Sequence, residues 1–125
     1  MKLPDYKEKQ RILYVAKKPA KDLIAQGDRY LAANRVSDAL EFYQKVQHAP
    51  GLEKIKSIAQ GEGDVMTYQQ AMKSLNREPS QGDWNDIGKT ALDKKKYNFA
   101  LAAFEKSANT AMLDQINEIL KSRDV

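Results

Sequence analysis

The chain contains no cysteine and a single histidine, His48, and these two shortages remove several chemistries at the outset. Without thiols there is no disulfide framework, no thiolate zinc site and no cysteine nucleophile. His48 falls at the expected end of a helix, beside Ala49-Pro50-Gly51, with no nucleophile or orienting acid at a spacing that would make it a general base. It reads as an exposed helix-end histidine, and the expectation is a protein that is not an enzyme and uses no cofactor and no metal. Long apolar runs are missing too. No stretch approaches the roughly 20 apolar residues of a membrane span. The start, Met1 to Tyr6, leads into Lys7-Glu8-Lys9 rather than an apolar segment, so no signal peptide is expected and a cytoplasmic location is the default. Only six Gly and four Pro interrupt the chain, which leaves room for long helices.

The remaining composition is that of a globular protein: 42% apolar and 30% charged residues, well away from the disordered range. A length of 125 residues fits one domain, 1–125, large enough to bury about two-thirds of its unfolded surface. The net charge of +4 is uneven. Residues 1–21 hold seven basic and two acidic side chains, whereas the rest of the chain is nearly neutral at −1.

Two segments repeat the same residues at the same spacing. Leu23, Gly27, Tyr30, Ala39 and Tyr43 are followed 61 residues later by Trp84, Gly88, Ala91, Ala100 and Phe104. Gaps of three and four place such residues on one face of a helix. A weaker copy lies between them, with Ile55, Ile58 and Ala59 followed by Ala71 and Leu75. A repeated helix pair points to a stack in which each unit buries its apolar face against its neighbours.

The spacing predicts a first helix over 5–18, stopped near Lys17 by Pro19, with Tyr6, Leu13 and Ala16 on one face. A second helix over about 20–33 ends at Asn34, and a third over about 36–48 ends at Pro50-Gly51. A short helix at 52–60, a break at Gly61-Glu62-Gly63-Asp64, and a helix at 64–77 capped by Asp64 follow. The Gly61–Asp64 segment lacks both the Gly-Lys-Ser/Thr of a phosphate loop and the alternating acids of a calcium loop. Ser80 and Asp83 read as a capping box opening a helix at 81–94, with partners at about 97–108 and 110–122. The last places Met112, Leu113, Ile116, Ile119 and Leu120 on one side, as a helix that covers the end of a stack would.

Trp84-x-x-Ile87-Gly88 followed by Ala100-x-x-x-Phe104 resembles the tetratricopeptide repeat, whose helix-turn-helix unit has the pattern W-x2-L-G-x2-Y and then A-x3-F. Leu23-x-x-Gln26-Gly27-x-x-Tyr30 with Ala39-x-x-x-Tyr43 is a second match, and the middle copy looks like a degenerate third. Together they cover residues 20–110. Gln26 and Ala91 depart from the pattern, and repeat starts lie 32 and then 29 residues apart, both short of the family period. The resemblance implies an all-α solenoid of about eight helices, with capping helices at both ends. It also implies a concave groove, lined by the first helix of each pair, that takes a peptide or helix of a partner protein. Carried onto this chain, the groove positions are Ile24, Asp28 and Leu31, then Lys56 and Gln60, then Asn85, Lys89 and Leu92. Ile24 and Asp28 stand where the family's carboxylate clamp has Lys and Asn, which argues against binding of chaperone tails.

The expected function is therefore non-catalytic protein-protein interaction. Two other classes stay open. Lys7, Arg11 and Lys18 form a basic N-terminal face, with Tyr14 between them, that could contact nucleic acid or a ribosome. A homo-oligomer formed through an uncovered end of the stack is the other.

Overall fold

A computed structural model describes residues 3–123 of the chain. Among them there are eight helices and no strand. The first, α1, runs as α-helix over Tyr6–Gln10 and continues as a π-helix over Arg11–Val15. The others are α2 (Ala20–Ala32), α3 (Val36–Val46), α4 (Ala49–Glu62), α5 (Val65–Ser74), α6 (Gln81–Asp93), α7 (Tyr97–Lys106) and α8 (Thr110–Arg123). The chain divides into two compact units, Met1–Ile55 and Lys56–Val125, with the boundary inside α4.

In the first unit, α2 and α3 form a hairpin. Its turn is closed by Asn34 in the left-handed conformation at φ 60, which asparagine tolerates better than most residues. Leu23, Gly27 and Tyr30 of α2 are buried, as are Ala39, Leu40, Phe42 and Tyr43 of α3. Tyr30 stacks on Phe42 with ring centroids 5.4 Å apart. Gly27 allows the two helices to meet closely, since a β-carbon there would come within 2.7 Å of Tyr43 Cε1. The helix α1 presents Lys9, Ile12 and Leu13 inward, while Tyr6, expected on the buried face, is 73% exposed. Ile12 and Leu13, neighbours within the π-wound turn, are both buried. That turn closes with a 2.7 Å bond from Ala16 N–H to Arg11 O, after which the backbone is extended, so the helix ends at Val15 rather than at residue 18.

Pro50-Gly51 does not end α3. That helix stops at Gln47, in the left-handed region at φ 53, and Pro50 and Gly51 lie in the first turn of α4. Proline suits a first turn because its missing N–H has no partner to lose there. Gly51 brings that turn onto the Tyr43 ring, with a β-carbon again limited to 2.7 Å. His48 is half-buried, its ring 5.4 Å from that of Tyr43, and not the exposed residue expected.

In the second unit, α4 continues through Gly61 to Glu62, and only Gly63 breaks the helix, at φ 68. Asp64 caps α5 by accepting from Thr67 N–H. Ser80 and Asp83 form the reciprocal capping box of α6. Trp84 is buried, meeting Tyr68 edge-on at 5.7 Å in an apolar cluster with Ala59, Val65, Met72, Ile87 and Ala103. A second cluster holds Ala91, Ala100, Phe104 and Ile116, with Met112, Leu113 and Leu120 of α8 packed against it. Gly88 faces Phe104 as Gly27 faces Tyr43, with a β-carbon limited to 2.8 Å.

The correspondence between the units extends past the paired helices. Helices α2, α3 and α4 begin at 20, 36 and 49, and α6, α7 and α8 begin 61 residues later, at 81, 97 and 110. The ends of α4 and α8 keep the same interval, Glu62 to Arg123. Leu52, Ile55 and Ala59 of α4 match Leu113, Ile116 and Leu120 of α8, and Ile55 and Ile116 are both fully buried. The internal repeat is thus three helices long.

Candidate interaction surfaces

On α2, the one-sided apolar spacing that buries Leu23, Gly27 and Tyr30 leaves Asp28 exposed and Ile24 and Leu31 half-buried. Asp28 is held by its own fold: the Tyr43 hydroxyl donates to its Oδ1 at 2.6 Å. Burial, with that hydrogen bond and the Asp28 charge adding to it, pushes the Tyr43 phenol well above the usual tyrosine range. Gly27 and Asp28 therefore bracket one side chain, the glycine under the ring and the carboxylate at the hydroxyl.

On α6 the equivalent pair is Gly88 and Lys89, opposite Phe104. The phenol and the carboxylate are absent together. Lys89 is exposed with no hydrogen bond or ion pair among the described residues, so its ammonium is available to a ligand. Asn85, one turn earlier, is half-buried and its Oδ1 accepts from Asn109 Nδ2 at 3.1 Å, which ties α6 to the start of α8. Leu92 is half-buried against the Ala91–Phe104 cluster. Lys56 and Gln60, in the later part of α4, are half-buried. The second unit thus brings Asn85, Lys89 and Leu92 onto one helix at spacings of four and three, with Lys89 the most exposed.

The N-terminal basic residues are placed differently. Lys7 and Arg11 are exposed on α1, whereas Lys18 is exposed beyond its last helical residue. Arg11 Nε donates to Glu8 Oε2 at 3.0 Å, and this contact lowers the Glu8 pKa. Arg11 and Lys18 share a cleft of about 320 Å³ with Glu8, Asp22 and Arg29, so the two signs of charge alternate there. Tyr14 is exposed, with the Lys45 ammonium 5.4 Å from its ring centroid.

Lys9 is the charged residue that the sequence hides. It is 5% exposed, and its Nζ lies 2.7 Å from Asp38 Oδ1 and 2.8 Å from Glu41 Oε1, which pins α1 to α3. Burial by itself would lower its pKa, but the hydrogen bonds it donates to both carboxylates prevail and raise it. Only its placement one turn before Leu13, on the inward face, could have marked it.

No helix among the described residues is long and apolar enough to cross a membrane. No family model, curated protein or solved structure matches the chain.

Proposed function

We propose that the chain is a tetratricopeptide-like helical-repeat module that binds a peptide or helix of a partner protein without catalysing a reaction. The observation that carries this reading is the glycine-on-aromatic hairpin found twice, Gly27 on Tyr43 and Gly88 on Phe104, at one interval of 61 residues. Such hairpins spend their apolar residues on packing and leave the other face of the first helix for a ligand. Ile24, Asp28 and Leu31 on α2, Lys56 and Gln60 on α4, and Asn85, Lys89 and Leu92 on α6 are the positions assigned to that role. They mix apolar and polar groups with both charges, which suits a partner segment of mixed character rather than a uniformly acidic tail. The pairing of Arg11 with Glu8 weighs against the N-terminal face as a nucleic-acid site, since each counter-charge reduces the gain from phosphate contact. Site-specific photocrosslinking in the native lysate tests the proposal. A photoreactive residue at Lys89 should give a discrete partner adduct, and one at the exposed Gln70 of α5 should not. Equal labelling at both positions, or at neither, contradicts it.

A further inference from the structure

A cleft of about 560 Å³ lies between the start of α7 and the end of α8, and its lining combines an apolar floor with charge of one sign. Tyr97, Phe99 and Leu120 supply the floor, and Lys95, Lys96 and Arg123 the rim. No carboxylate is among the described residues that line it. We propose that this cleft docks an acidic segment of a partner protein, seating one apolar side chain on Tyr97, Phe99 and Leu120 while flanking carboxylates meet Lys95, Lys96 and Arg123.

The cleft is not a by-product of the repeat. Sixty-one residues earlier, the positions matching Lys95, Lys96, Tyr97, Phe99, Leu120 and Arg123 are Asn34, Arg35, Val36, Asp38, Ala59 and Glu62. That set has one cation, two acids and no aromatic ring, so the apolar floor and uniform charge belong to the second copy alone. Lys95 sharpens the contrast. It occupies the left-handed turn position at φ 61, where the first hairpin has Asn34 at φ 60. A long side chain is disfavoured in that conformation relative to asparagine, and the chain places a charge there despite the cost.

Two of the cations are also held in place. The Arg123 guanidinium lies over the Tyr97 ring, 5.3 Å from its centroid, and Lys96 Nζ donates to Glu62 O at 2.6 Å. The lysine keeps its charge and two further N–H donors for a ligand. Preorganised cations lose less freedom on meeting a carboxylate than free ones do.

The same contacts favour a peptide over single-stranded nucleic acid. Base binding needs open aromatic faces. Here one face of Tyr97 is covered by Arg123, and Phe99 packs against both apolar clusters. An apolar side chain needs only the ring edges and Leu120. None of the positions assigned above to partner binding lines this cleft, so it constitutes a separate surface.

Fluorescence anisotropy of the full chain with a labelled, end-blocked peptide alternating glutamate and leucine tests the proposal at low salt. Saturable binding is expected, weakened roughly tenfold when the glutamates become glutamines or when Lys95→Asn and Arg123→Gln are combined, as loss of rim charge pairs should do. Lys95→Asn restores the residue of the first hairpin, so it removes charge without adding backbone strain. A thymidine oligonucleotide should bind more weakly than the peptide. Absence of peptide binding, unchanged affinity in the double variant, or tighter oligonucleotide binding would overturn the proposal. Amide chemical shifts of the unmodified protein provide a second reading that needs no variant. The peptide should move residues 95–99 and 120–123, and shifts confined to other segments would also overturn it.

Discussion

Gly27 and Gly61 both lie inside helices, yet replacing each with alanine should move stability in opposite directions. Alanine is preferred over glycine in a helix interior by about 1 kcal/mol, because glycine loses more backbone entropy on folding. At Gly61 nothing lies within 4 Å of the new β-carbon, so Gly61→Ala should gain about 0.5–1 kcal/mol. At Gly27 the new carbon would sit 2.7 Å from Tyr43 Cε1 and 3.1 Å from Cζ. The ring has little freedom to yield, since it meets the backbone of α4 at Gly51 and its hydroxyl is bound to Asp28. Overpacking of this kind costs about 1–3 kcal/mol, and set against the helix gain it leaves a net loss of up to about 2 kcal/mol for Gly27→Ala. Urea unfolding followed by far-ultraviolet circular dichroism measures both variants on one scale, with the slope checked for constancy. If Gly27→Ala proved as stabilising as Gly61→Ala, the close helix approach on which the hairpin account rests would be wrong.

The buried cation yields a second expectation. Lys9→Ala should lose about 2 kcal/mol, below the 3–5 of a fully buried broken pair because Asp38 and Glu41 still reach water and Arg35 stays 2.8 Å from Asp38. Lys9→Met, which keeps the apolar stem, should lose less, and equal losses in the two would show that charge alone matters. Alkaline pH gives a third. The phenols of Tyr30, Tyr43 and Tyr68 have raised pKa values, chiefly through burial, and Lys9 is raised by its carboxylates. Their stabilisation is full below the unfolded values of 10.0 and 10.5 and is lost as pH rises through the folded ones. Phenolate absorbance should therefore show a late-titrating fraction that appears together with loss of helix. Trp84→Ala should cost about 3–5 kcal/mol by emptying a buried aromatic site, measurable in the same urea assay, and a loss below about 1 kcal/mol would place Trp84 outside the core.

Much of the helical order was legible because its signals are local. Gaps of three and four marked Leu23, Gly27, Tyr30 and Ala39 as inward, and all four are buried. Ser80 with Asp83, and Asp64 alone, announced the starts of α6 and α5 through caps that need only a three-residue reach. The failures came where a local signal has two uses. Pro50-Gly51 is as good a turn as a first helical turn, and only the Tyr43 ring waiting above Gly51 decides between them. Gly61 looked like a break because Gly63 beside it is one. Lys9 carries no local signal beyond its place on the inward face, since its partners lie 29 and 32 residues away. The candidate surfaces divided in the same way. The resemblance pointed to Asp28 and Lys89 alike, and both are exposed, while the bond that makes Asp28 part of the packing required a tyrosine 15 residues on.

That bond also decides how the functional proposal is best tested. Charge reversal at Asp28 would disturb Tyr43, whereas Asp28→Asn removes the charge and leaves an acceptor for the hydroxyl. Lys89→Glu needs no such care, because Lys89 makes no bond among the described residues. Quantitative capture of partner from the native lysate should be compared among the parent chain, the Asp28→Asn/Lys89→Glu variant and a Lys7→Glu/Arg11→Glu variant, at matched thermal midpoints. Binding through the first-helix faces predicts that the Asp28→Asn/Lys89→Glu variant loses most of the captured partner while the N-terminal variant retains it. Normal capture by the former with failure of the latter would contradict the account and assign binding to the basic N-terminal face.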